Sequence, residues 1–477
     1  MLLVSAAICG TIAVACSEQA PPSPVAARTS NQPLPSSPRY IIELTAVGKV
    51  PATLVAKIAS AHGRILRVHE GVGMAIVSGL TAQAATALEH APGVRYVMPD
   101  LNIKMIDDPG MRRIVALRGT RLAPRGGVSV RGNPRNAHFF PLQWSMTVTH
   151  ADSAWSVSNQ GSGVKVFILD TGVDTAHQDL KGLVDTKLCT SFAFAANDTL
   201  MLNPLPFSHD VVGHGSFVSS IIASNSIGLA AVAPQAKLIM VRVLDDSGSG
   251  SSSALLSGIL YAVDSGADII NMSLGGYLSR VSGSYLAFAD FYQRVVDYAA
   301  QHGVVLVAAG GNEGVNTNTA MAASGSYADS LNTPAGLRHV LSIGATGPVD
   351  SVNFDSIAVY SNFGDAGVGV FAPGGNTVDN KESSLVFGVC SSATAFCPDS
   401  EDEYLIGAGT SFAAPMAAAE AAVVKAHTSG AITGSSLENC ILQSATNVTG
   451  KRPDPNYNFG VINVLSALNN SNCKSGS

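Results

Sequence analysis

Charge is scarce in this chain. Asp, Glu, Lys and Arg make up 13% of its 477 residues and leave a formal net charge of −6. No basic footprint exists to meet a nucleic-acid backbone, so composition gives no case for that class of partner. Long apolar runs are nearly as rare. Outside residues 1–16 no stretch is long and apolar enough to span a bilayer. No Cys/His spacing resembles a zinc site, and no repeat with a period of about 20–50 residues is visible. What the chain does have is 46% hydrophobic residues and 47 glycines. That composition can bury a large core and implies many tight turns. The length is too great for one ordinary domain and suggests two or three units.

Residues 1–16 are uncharged, rich in Ala, Val and Ile, and followed at once by a Pro/Ser-rich run over 17–38. The two read as a signal peptide and a spacer, which predicts export. Ala13-Val14-Ala15 fits an A-x-A cleavage site. With Cys16 the same residues resemble a bacterial lipobox, in which Cys16 would carry a lipid anchor. Free secretion and anchoring both stay open. An oxidising compartment makes disulfides the expected state of the later cysteines. Cys390–Cys397 and Cys440–Cys473 are the economical pairings by proximity, with Cys189 left over, but spacing alone does not fix connectivity.

Residues 39–106 alternate between strand-like and helix-like segments: a strand at 40–44, a helix at 52–62, short strands near 65–68 and 73–79, a helix at 82–90 and a strand at 94–99. This is the order of a small ferredoxin-like α+β unit. It holds no nucleophile–base constellation, so its expected role is binding. Residues 107–139 carry seven Arg among Gly and Pro and read as a basic, protease-accessible connector, or else as a solvated loop of the unit that follows. Over 140–477 short apolar runs alternate with helical stretches, among them 164–169, 216–224, 237–244, 251–265, 269–273, 288–302, 304–309, 340–344 and 412–427. Apolar strands separated by helices predict an α/β fold, a parallel sheet flanked by helices, with functional residues at strand ends and helix starts.

Three segments carry chemistry. Val166-Phe167-Ile168-Leu169 runs into Asp170-Thr171-Gly172, placing an acid at the end of a buried strand, where it must be paired unless it simply caps a helix. Gly213-His214-Gly215 opens an apolar helix and lets other backbone come close. Gly409-Thr410-Ser411-Phe412-Ala413-Ala414-Pro415 opens another, and puts a hydroxyl where a helix N-terminus favours negative charge; an ordinary N-cap is the plainer alternative. The chain order Asp, His, Ser makes the set specific, because it differs from chymotrypsin and from α/β-hydrolases.

On these motifs the chain resembles the subtilase family of serine peptidases. Asn312 in Ala308-Ala309-Gly310-Gly311-Asn312-Glu313-Gly314, Ala372-Pro373-Gly374 and Tyr457-Asn458-Phe459-Gly460 are similar to further landmarks of that family, and the likeness extends over nearly all of 140–468. It implies a secreted endopeptidase acting on proteins or peptides as a monomer, with Asp170, His214 and Ser411 as catalytic triad and Asn312 at the oxyanion. It also implies that 39–106 is a prodomain that inhibits its own enzyme, with cleavage near 104–108. Ser273, Leu274 and Gly275, within an edge strand over 271–275, would bind the substrate backbone, and Ala309 and Gly311 would line the primary pocket. A structural Ca2+ site carried over in part would use Gln143, Asp179 and Asn225 with the carbonyls of Ile227 and Leu229, an oxygen mixture that suits calcium. Two departures stand out: Phe217 takes the place of a common His, and an insertion over 379–403 precedes Ser411.

Two rival classes were weighed. An α/β-hydrolase esterase needs an acid and a His after the Ser, and only His427 follows Ser411, on the same expected helix. A non-enzymatic binding module would keep the fold and lose its chemistry, yet Asp170, His214, Asn312 and Ser411 are all present.

Overall fold

The structure is a computed structural model that describes residues 39–106, 112–113, 132–194, 203–279, 285–320, 330–350, 353–378, 381–395, 397, 403–451 and 453–473. The expected signal and spacer, with Cys16, and most of the connector lie outside the described residues.

In the N-terminal unit the period-two pattern of a strand is used on both faces. Strands β1 (Arg39–Leu44), β2 (Arg64–His69), β3 (Met74–Ser78) and β4 (Val94–Pro99) form an antiparallel sheet in the order β2-β3-β1-β4. Tyr40, Ile42 and Leu44 pack on Leu54, Ile58 and Leu88 of the helices Ala52–Ser60 and Ala82–Glu89. Ile41, on the opposite face, joins Met74, Ile76 and Met98 in the core of the main body. The unit therefore has one face of its own and one that is completed only by docking.

Short segments follow: β5 (Asn102–Met105) and β6 (Arg112–Arg113). The main body is built from β7 (Lys165–Asp170), β8 (Thr190–Ser191), β9 (Lys237–Arg242), β10 (Ser249–Ser251), β11 (Ile269–Met272), β12 (Leu274–Ser279), β13 (Val305–Ala309), β14 (Ser330–Thr333), β15 (Val340–Thr346), β16 (Val370–Pro373), β17 (Val386–Val389) and β18 (Tyr404–Gly407). Seven of these make the central parallel sheet, in the order β16-β15-β13-β11-β7-β9-β8. Helices flank it, so the middles of its inner strands are apolar, as expected of a covered parallel sheet. β5 lies between β10 and β12 in a second sheet, and β6 pairs with β18 in a third. Gly132, His138 and Phe139 bond the loop 225–228 through backbone groups, so 132–139 packs on the main body.

Cys390–Cys397 and Cys440–Cys473 are bridged, and Cys189 is free. Burial pushes the Cys189 thiol up to about 12, which leaves it unreactive. Among the described residues no helix is long and apolar enough to cross a membrane.

The helix Thr410–His427 runs through the core with Glu420 fully buried on it. Burial pushes the Glu420 carboxyl up to about 8, and the neighbouring Asn463 backbone offsets this only in part. The folded state thus keeps a proton that the unfolded chain releases at an ordinary carboxylate pH. The group's contribution to stability is complete below about pH 4.5 and is lost as pH rises to about 8. Glu420→Gln cannot ionise, and should flatten the fall of the melting midpoint across that window in calorimetry. Parallel declines in the two proteins would contradict this.

Candidate active site

Asp170 ends β7 at the carboxyl edge of the sheet, with no exposed surface. Its Oδ1 accepts from Thr171 N (2.7 Å), and His214 Nδ1 lies 2.8 Å away. A carboxylate accepts, so this pairing keeps the ring proton on Nδ1 and makes Nε2 the basic nitrogen. His214 is the first residue of the helix His214–Ile222. That helix can come so close because of Gly215: a Cβ there would lie 2.1 Å from the Gly172 carbonyl oxygen.

A residue missed in the sequence organises this corner. Asp210 is fully buried; its Oδ1 accepts from Thr171 Oγ1 (2.8 Å) and Gly213 N (2.9 Å), and its Oδ2 from Ser216 N (2.8 Å) and Ser216 Oγ (2.7 Å). It caps the His214 helix and ties it to the turn after Asp170. Burial raises its pKa, against the pull of the Ser216 and Thr171 donors. Its sequence signal was the Asp three residues before the N-cap glycine.

Ser411 sits in the first turn of Thr410–His427, buried. Pro415 has no N–H to offer the carbonyl four residues back, and that carbonyl, Ser411 O, instead accepts from Ser273 Oγ at 2.7 Å. Asn271 Nδ2 donates to the same Ser273 hydroxyl (3.0 Å). Phe412 lies 5.8 Å from the His214 ring, centroid to centroid, and stacks on Phe217 at 4.1 Å. Phe217 in turn lies under β17: a Cβ on Gly388 would be 2.3 Å from its ring. The departure at Phe217 is thus matched by the insertion, whose hairpin covers it. Asn312 is held by its carbonyl oxygen, which accepts from Thr410 N (2.9 Å) and Thr410 Oγ1 (2.8 Å), turning its amide nitrogen away from that contact.

The 271–275 segment differs from the single edge strand expected. Asn271 belongs to β11 inside the central sheet, and after Ser273 the chain leaves it as β12. β12 pairs antiparallel with β5, Leu274 opposite Met105 and Gly275 opposite Lys104. β10 pairs with the other edge of β5. The N-terminal unit's outgoing strand therefore lies in the cleft like a bound peptide, and the Ile106 carbonyl oxygen is 3.4 Å from Ser411 Oγ. Ala309 is buried at the end of β13. Gly311 is ringed by Tyr277, Glu313 and Asn362, where Asn362 Nδ2 donates to Glu313 (2.7 Å) and Tyr277 hydroxyl bonds the same carboxylate. Sequence reading missed this acidic cluster beside the expected pocket.

The residues expected at the calcium site are engaged with the fold itself. Asp179 accepts from Ile227 N (2.9 Å), Gly228 N (2.9 Å), Leu229 N (3.0 Å) and Tyr404 hydroxyl (2.8 Å). Three of these donors meet Asp179 Oδ2 and one meets Oδ1, so the carboxylate is held by the loop 227–229 and Tyr404. Gln143 Oε1 accepts from Ala230 N, the Leu229 carbonyl from Ser224 Oγ and the Ile227 carbonyl from His138 N. Of the five residues named, only Asn225 keeps a buried oxygen without a hydrogen bond. These residues do not form an open oxygen cage, and no cluster of three or more His, Cys, Asp or Glu suited to a metal exists among the described residues.

Comparison with known proteins places the chain in a family. Residues 161–461 match the subtilase family model. The chain is 31% identical over 338 residues to the thermophilic serine proteinase of Bacillus sp. (strain AK1), covering 70% of this chain and 69% of that protein. It is 36% identical over 244 residues to thermitase of Thermoactinomyces vulgaris, covering 50% and 73%. Among solved structures, the epidermin leader peptide processing serine protease of Staphylococcus aureus aligns with a TM-score of 0.70 at 20% identity, over 91% of this chain and 98% of that one, a likeness of fold. The chain belongs to the subtilase family and is a serine endopeptidase.

Two outcomes follow from this geometry. Asp210→Ala leaves several buried donors without an acceptor, and should lower stability by about 1–3 kcal/mol and reduce kcat more than it raises KM; unchanged melting and kinetics would contradict the capping role. Tyr404→Phe should lower stability by about 1–3 kcal/mol without rescue by added calcium. An unchanged melting midpoint, or one restored by calcium, would contradict the role given to the Asp179 hydrogen bonds.

Proposed function

We propose that the chain is an exported proenzyme in which Ser411 is the nucleophile, His214 the general base and acid, Asp170 the residue that orients the imidazole, and Asn312 an oxyanion donor. Ser411 Oγ attacks the scissile carbonyl as His214 Nε2 takes its proton and later returns it to the leaving amine. Asp170 holds the tautomer this requires and stabilises the imidazolium. The oxyanion is met by the Asn312 amide and the Ser411 backbone N–H at the start of the helix. Substrate lies as a strand against Leu274 and Gly275, with Ser273 bracing the nucleophile's turn and Ala309 and Gly311 beside the primary pocket.

The observation that carries this reading is the Ile106 carbonyl oxygen, 3.4 Å from Ser411 Oγ on a strand paired along β12. Residues 39–106 then act as prodomain and inhibitor, the peptidase body begins near Gly132, and the bond cut in maturation is Ile106–Asp107. Docking is supported by Asp100, whose carboxylate accepts from Ser253 N (2.8 Å) and Ser253 Oγ (2.7 Å) at the start of the helix Ser252–Asp264, a favoured place for negative charge. Export is supported by the signal-like residues 1–16 and by two bridged cysteine pairs. A lipid on Cys16 would anchor only the proenzyme, because this cut separates Cys16 from the peptidase.

The test compares the wild-type proenzyme with Ser411→Ala. Wild type should mature, digest casein and take a fluorophosphonate label; Ser411→Ala should do none of these, its residual turnover lower by about a millionfold. Asn312→Ala should retain maturation but lose about 100- to 1,000-fold in kcat. A wild type that neither matures, digests casein nor labels would end the proposal.

A further inference from the structure

We infer that the edge of β18 away from β17 is a binding site for the part of a protein substrate that lies well beyond the scissile bond on its C-terminal side. This rests on the proposed role of Ser411. β17 and β18 form an antiparallel hairpin, Val386 opposite Gly407 and Val389 opposite Tyr404. The hairpin is fixed firmly. Its loop is bridged by Cys390–Cys397, Val389 N donates to Ser220 Oγ (3.0 Å), Trp144 Nε1 donates to Leu385 O (3.1 Å), and Ser392 donates to Asp174 Oδ2 through N (2.8 Å) and Oγ (2.7 Å). Every residue of β18 is buried, and Ser411 follows its last residue by four positions.

A strand with one edge unpaired invites another backbone. Among the described residues the partner on that edge is β6, antiparallel, with Ile406 opposite Arg112 and Leu405 opposite Arg113. Arg112 and Arg113 are the sixth and seventh residues after Ile106, whose carbonyl lies at Ser411. One continuous piece of chain is therefore held as a strand on both sides of the nucleophile, by β10 and β12 before it and by β18 after it. What the proenzyme's own segment does by backbone pairing, an extended peptide of a substrate can do by displacing that segment from the edge. Recognition of this type asks for length and an unfolded backbone, with little demand on side chains.

The experiment uses the full-length double variant Arg112→Pro/Arg113→Pro after maturation, since proline removes the N–H through which its own connector pairs. Two internally quenched peptides share one sequence, the first ending at the third residue after the scissile bond and the second reaching the ninth. The longer should be cut with a kcat/KM about tenfold higher, the scale of one or two net backbone hydrogen bonds, and the gain should lie in KM. N-methylation of the longer peptide at its sixth or seventh backbone nitrogen should return it to the value of the shorter one. Equal kcat/KM for the two lengths, with both cut, overturns the β18 site and leaves the peptidase reading standing. Failure to cut either peptide overturns both.

Discussion

Two carboxylates buried side by side govern this molecule. Removing a carboxylate from water costs several kcal/mol unless donors replace the solvent. Asp170 and Asp210, both fully buried, draw those donors from Thr171, Gly213, His214 and Ser216. The donors on Asp170 Oδ1 and on both oxygens of Asp210 hold the end of β7 against the first turn of the His214 helix, and Gly215 removes the one side chain that would keep them apart. The helix that carries Ser411 is then set by packing, through Phe412 against His214 and Phe217. The chemistry of the site follows from electrostatic bookkeeping at one strand end.

The docking of the N-terminal unit obeys the same constraint. Glu43 has no exposed surface and is answered by Arg95 (3.2 Å) and by Arg294 of the main body (2.5 Å), yet burial raises its pKa more than these guanidinium groups lower it. Asp100 sits on a helix start and is also held by Arg39 (3.1 Å). These contacts, with the shared apolar face around Ile41 and Met98, fix β5 at its origin, so its far end arrives at Ser411 as a pre-positioned peptide.

Much of this was legible before any coordinates. The α/β class could be read because a covered parallel sheet needs apolar strands such as Val166-Phe167-Ile168-Leu169, and the two disulfides joined the nearest cysteines. Asp170, His214 and Ser411 were legible through order and local glycines. What escaped was whatever depends on closure over distance. Tyr404 reaches Asp179 across 225 positions and turns an expected cation site into a hydrogen-bonded carboxylate. Asp210 and Asn362 belong to no motif, and only the folded chain gathers their partners. The pattern of 271–275 is continuous and reads as one strand, whereas Ser273 is where the backbone leaves the central sheet, bonds the Ser411 carbonyl and goes on to pair with β5.

The central claim is that the chain delivers its own Ile106 carbonyl to Ser411. The most direct measurement is the intact mass of the N-terminal fragment released on maturation, together with the first residues of the active form isolated before further trimming. The account predicts a fragment ending at Ile106 and an active chain starting at Asp107. An active form that still begins before Arg39 would contradict it.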